Sequence, residues 1–87
     1  MYDKLVNAKS LLVTYSYNID KENYDSVEYL TDTIDYLILG KIPCNLEILN
    51  IILEDVMVCN SYQRSSYLTK VAIILSDIIR EYELCMK

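Results

Sequence analysis

The chain has 87 residues, a formal charge of −5 and an apolar fraction of 53%, with one Gly, one Pro and no His. That length bounds it to a single domain, 1–87, and so much Ile, Leu and Val can repay the entropy of ordering. The negative balance excludes direct nucleic-acid contact and an anionic membrane surface as expected partners, because both need clustered Lys and Arg.

Apolar residues recur three and four apart through most of the chain, which predicts helices. In the first segment, about Tyr2 to Tyr17, Leu5, Ala8, Leu12 and Tyr15 fall on one face, with Leu11 beside them. The polar stretch Asn18 to Asn23 breaks the pattern, and Asn23 or Asp25 suits capping of the next helix. The second segment runs from about Tyr24 to Leu39 on a stripe of Val27, Leu30, Ile34, Leu37 and Ile38. Gly40 follows where a left-handed residue is needed, and Pro43 fits the first turn of a third helix.

The third segment, about Pro43 to Cys59, is apolar nearly all round, which predicts a central, buried helix. Its β-branched residues would tolerate a strand, but Asn45, Glu47, Asn50, Glu54 and Asp55 do not alternate as a strand requires. Asn60 and Gln63 have capping-box spacing ahead of the last segment. There Leu68, Val71, Ala72, Leu75, Ile78, Ile79, Tyr82 and Cys85 give the cleanest helical repeat. The predicted architecture is an all-α, small antiparallel bundle of about four helices.

Catalytic chemistry has few candidates. Without His, the commonest general base and the usual partner of a Ser or Cys nucleophile are missing. A lone Gly excludes phosphate-cradling loops, and no zinc, calcium or di-iron ligand pattern occurs. The expectation is therefore a protein that is not an enzyme, with no catalytic residues, no cofactor and no metal. Cys44, Cys59 and Cys85 are widely spaced and read as reduced thiols in the cytoplasm. The longest uncharged apolar stretch, Val71 to Ser76, is far short of the ~20 residues of a membrane span. The N-terminal stretch does not read as a cleaved signal.

One stretch stands out: YDSVEYLTDTIDY, residues 24–36, holds four carboxylates and three tyrosines with no Lys or Arg. At about 100° per residue, Asp25, Glu28, Asp32 and Asp35 fall within roughly 80° and form one ridge. Tyr29 and Tyr36 lie beside that ridge, away from the Val27–Ile34–Ile38 stripe. Like charges three and four apart repel, at a few tenths of a kcal/mol per pair. Two readings remain open. The face is a solvated surface kept acidic for solubility, or it is a binding ridge in which acids steer a basic protein and tyrosines supply contact area.

In size, charge and surface type the chain resembles small acidic helical inhibitors, such as the immunity proteins that neutralise cationic bacterial nuclease toxins. No residue roles are carried over from that resemblance. It implies an immunity or inhibitor protein, antitoxin-like, that covers the phosphate-binding surface of a basic toxin or nucleic-acid-acting enzyme. On this reading the protein-binding residues are Asp25, Glu28, Tyr29, Asp32, Asp35 and Tyr36. The alternatives are a helical homo-oligomer or assembly subunit, for which the apolar excess argues, and a phage or virus anti-defence protein using the same physics. If the chain forms a homodimer, the Leu68–Tyr82 stripe or the third helix is the expected contact.

Overall fold

The structure is a computed structural model that describes residues Tyr2–Cys85. Four helices follow one another: α1 (Tyr2–Ser16), α2 (Lys21–Ile38), α3 (Leu46–Gln63) and α4 (Ser66–Cys85). No strand occurs among the described residues, so the apolar run at Ile48 to Val58 is helical. The expected all-α bundle is what forms.

Local chemistry sets the boundaries. Asp20 takes the extended conformation of an N-cap, so α2 starts three residues earlier than Tyr24, and Asn23 and Asp25 lie inside it. At the other end Gly40 has φ +73°. Its N–H donates to the Leu37 carbonyl at 3.2 Å, and the Lys41 N–H donates to the Tyr36 carbonyl at 2.9 Å. This is the paired closure that a left-handed glycine permits. Pro43 is not in the first turn of α3. Asn45 caps that helix instead, because its side chain accepts the otherwise orphaned Ile48 N–H at 2.9 Å.

The α3–α4 junction also departs from the sequence reading. Asn60 and Gln63 belong to the last turn of α3, and Ser65 is the cap of α4, its hydroxyl accepting the Tyr67 N–H at 3.1 Å. Asn60 spans the turn: its Oδ1 accepts the Ser65 N–H at 2.7 Å and its Nδ2 donates to Thr69 Oγ1 at 3.0 Å. Arg64 ends α3 in the left-handed region, at φ 49° and ψ 57°, where a Cβ is disfavoured.

Packing follows the stripes. Leu5, Ala8 and Leu12 of α1 meet Val27, Leu30 and Ile34 of α2 and Leu68, Val71, Leu75 and Ile78 of α4 in one core. α1 packs closely on both α2 and α4, and α4 packs closely on both α1 and α3. α2 and α3 touch much less. The α3 expectation is therefore overturned. α3 buries Leu49, Ile52 and Val56, but leaves Ile51, Met57 and Val58 about half exposed. The reason is positional: α3 lies firmly against α4 and only sparsely against α2, so an all-round apolar helix keeps an uncovered side. The Leu68–Tyr82 stripe, by contrast, is largely buried within this one chain.

Tyrosines tie the helix ends together. The Tyr2 hydroxyl donates to the Ile38 carbonyl, and the Tyr15 hydroxyl donates to Gln63 Oε1. Tyr15 also stacks on Tyr67, with ring centroids 5.8 Å apart. Tyr82 donates to the Cys44 carbonyl at 3.0 Å. Hydrogen bonding with Cys44, then burial, pushes its phenol up to about 12. Because the folded state holds the neutral phenol, this contribution is complete below about pH 10, the ordinary Tyr value, and is lost as pH rises toward the folded value.

Two predictions follow from these contacts. Gly40 and Arg64 both take a positive φ with opposite residue choices, and a Cβ at Gly40 would meet nothing within 4 Å. Gly40→Ala is expected to cost about 1 kcal/mol and Arg64→Gly to gain up to about 1 kcal/mol, through backbone preference alone. Urea unfolding of the two variants reads opposite shifts in midpoint at unchanged slope. For Tyr82, the stability gap between wild type and Tyr82→Phe is expected to shrink from about pH 10 upward, measured by urea unfolding across that range.

Candidate protein-binding face

α2 turns its buried stripe of Val27, Leu30, Ile34 and Leu37 toward the core, which forces the acidic ridge outward. Asp25, Glu28 and Asp32 are exposed and make no ion pair among the described residues. Asp35 differs. It is half-buried toward α1, where Lys9 Nζ reaches its Oδ1 at 2.7 Å. The ridge of four is therefore three open carboxylates and one held by a neighbouring helix.

The two ridge tyrosines also differ. Tyr36 is partly exposed, with Lys41 Nζ 5.7 Å from its ring centroid, so a cation already lies over one face. Tyr29 is 60% exposed, and its hydroxyl makes no hydrogen bond among the described residues. Of the six residues expected to bind a partner, Asp25, Glu28, Tyr29 and Asp32 are open, and Asp35 and Tyr36 are engaged within the chain.

The sparse α2–α3 contact leaves a cleft of about 650 Å³. From α2 it is lined by Asp25, Ser26, Tyr29 and Leu30, and from α3 by Asp55, Val58 and Tyr62, with Cys59 and Gln63 on the same wall. The start of α2 thus faces the end of α3, as antiparallel neighbours do. Tyr62 is 84% exposed, the barest of the exposed large apolar side chains. Burial pushes the Cys59 thiol up, and the half-buried side chain forms part of the cleft wall. Gln63 Nε2 donates to Cys59 Sγ at 3.1 Å, which holds that wall in place.

Among the described residues, no basic one lines the cleft. From Glu22 to Gln63 the sequence holds eight acids and one base, Lys41. The rest of the chain holds five acids and seven bases. The net negative charge is therefore concentrated between Glu22 and Gln63, whereas α1 and α4 together balance four acids with four bases. The Lys4–Glu81 ion pair lies between those two helices, where Glu81 raises Lys4 and Lys4 lowers Glu81 relative to their ordinary values.

The α3 contribution is not marked by the spacing of residues along the chain. Val58, Tyr62 and Asp55 matter only because α2 stands off α3, a fact of tertiary packing. A partial signal existed in the absence of any Lys or Arg between Lys41 and Arg64. Among the described residues, no group of three or more His, Cys, Asp or Glu is placed to hold a metal ion. None of the described helices is long and apolar enough to cross a membrane. No family model matches the chain, and comparison with curated proteins and with solved structures finds no match.

The division of the ridge can be measured. Asp35→Asn is expected to lower stability by about 0.5 kcal/mol through loss of the Lys9 pair. Asp32→Lys is expected to raise stability by about 0.3 kcal/mol, because it relieves repulsion from Glu28 and Asp35. Chemical denaturation of both variants at low ionic strength gives the two signs.

Proposed function

We propose that this protein is a binding module for a basic protein, and that it acts as an inhibitor by covering a surface that would otherwise meet phosphates. The observation that carries the reading is the coincidence of exposed tyrosine and unpaired acid on one side of the bundle. Tyr29 and Tyr62 line a cleft with Asp25 and Asp55, and no base among the described residues lines it. Open carboxylates raise the encounter rate with a cationic surface, and aromatic side chains supply contact area at low entropic cost. Asp25, Glu28 and Asp32 steer; Tyr29 contacts. Asp35 and Tyr36 contribute less, since Lys9 and Lys41 already engage them.

The exposed Ile51, Met57 and Val58 favour a second reading, a homodimer through α3. Charge opposes it. A two-fold contact sets a patch against its own copy, so Glu54 and Asp55 would face their counterparts with no base on α3 to separate them. A cationic partner satisfies the same apolar area without that repulsion.

The test is capture from the native host at low salt, with wild type and an Asp25→Lys/Glu28→Lys/Asp32→Lys variant as paired baits. Circular dichroism of the variant controls for folding. The wild type is expected to retain a basic protein that is released as salt shortens the electrostatic reach to about 8 Å, and the variant is expected to lose it. Tyr29→Ala is expected to cost about 2 kcal/mol of affinity, mainly through faster dissociation. Equal capture by both baits would contradict the proposal.

A further inference from the structure

Both walls of the cleft are helical, and the described residues offer no strand edge for a peptide to extend. The natural occupant of such a site is a third helix laid between two. Its length can be read from the walls. The lining runs from Asp55 to Gln63 on α3, about 12 Å at 1.5 Å per residue, or roughly two helical turns. The chemistry changes along that length. Leu30, Val58 and Cys59 are apolar wall residues, and Asp25 and Asp55 come from opposite walls. Because the helices run antiparallel, Asp25 lies toward the Gln63 end and Asp55 toward the Leu30 end.

We propose that this cleft seats two turns of a partner's amphipathic helix bearing one large apolar side chain flanked on each side by an arginine. The proposal rests on the basic-partner reading and names the element that enters the cleft. The apolar side chain takes the middle, against Val58 and Cys59. The flanking cations, three and four residues away on the same helical face, reach Asp25 at one end and Asp55 at the other. Arginine fits better than lysine. Its planar guanidinium pairs with a carboxylate through two parallel hydrogen bonds and stacks on an aromatic face, and Tyr29 and Tyr62 supply those faces beside the acids.

A second copy of the chain is the competing occupant. Its α4 exposes Ile73 between Lys70 and Arg80. But Asp77 lies between Ile73 and Arg80, where it would approach the acidic rim, so the partner's helix is the occupant assigned.

The test is a nuclear magnetic resonance titration of the isotopically labelled full chain. The probe is a short alanine-based helical peptide with an Arg-x-x-Leu-x-x-x-Arg core. Its controls are the same peptide with both arginines replaced by lysine and with both replaced by glutamate. The arginine peptide is expected to shift the amides of Ser26, Leu30, Val58 and Tyr62 in the micromolar-to-millimolar range. The lysine peptide is expected to bind more weakly, and the glutamate peptide at least about tenfold more weakly. Asp55→Lys, checked for folding by circular dichroism, is expected to weaken the arginine peptide by about tenfold, equivalent to 1.4 kcal/mol. Shifts confined to the outer ridge at Glu28 and Asp32 would overturn the cleft while leaving the basic-partner reading intact. No shift anywhere at millimolar peptide would overturn both. Equal binding of the arginine and glutamate peptides would overturn the charge argument. Concentration-dependent shifts in the cleft without peptide would assign it to a second copy.

Discussion

The stripe of Leu68, Val71, Leu75 and Ile78 on α4 is the constraint on which the molecule depends. All four side chains are fully buried, and each such burial stabilises by about 1.5–3 kcal/mol relative to exposure. α4 offers this stripe to α1 and α3 together, and α1 in turn holds α2. The bundle is thus built in the order α2, α1, α4, α3 across space. The two outer members each have one strong neighbour, and their mutual seam is the weak one. The end ties fit that order: Tyr15, Tyr67 and Gln63 lock α1 to the α3–α4 turn, and Tyr82 locks α4 to the segment before α3.

The open seam is where composition and charge converge. α3 has more apolar residues than a helix packed on one flank can bury, so Val58, Met57 and Tyr62 remain exposed beside the cleft or near it. α2 has more acids than its neighbours can pair, and Lys9 takes only Asp35. Neither feature improves the stability of an isolated chain. Repulsion along α2 works against it, and exposed apolar area gains nothing from folding. Both features become favourable when a cationic, partly apolar surface covers them.

The fold was largely legible because three of the four helices carry a one-sided stripe, and periodicity places that stripe inward. α3 was misread for a physical reason: an all-round apolar helix names no face, and how much of it is buried depends on how many neighbours it has. Boundaries slipped wherever two capping residues competed. Asn45 prevailed over Pro43 because it can accept a helix N–H, and Ser65 did the capping expected of Asn60. On the face, periodicity alone was enough to align Asp25, Glu28 and Asp32. It could not find the Lys9–Asp35 pair or the α3 wall, because both arise between helices distant in sequence.

The central claim is that the α2–α3 side of the monomer is an open, acidic, apolar-walled face. Solvent paramagnetic relaxation with a neutral gadolinium chelate reads this most directly, residue by residue, at several protein concentrations. Strong enhancement at Ile51, Met57, Val58, Tyr29 and Tyr62, with protection at Leu68, Val71, Leu75 and Ile78, independent of concentration, is the predicted result. Protection of Val58, Met57 and Tyr62 would contradict the account. If it grew with concentration, a second copy covers the face; if it were constant, α2 closes on α3 and no cleft exists.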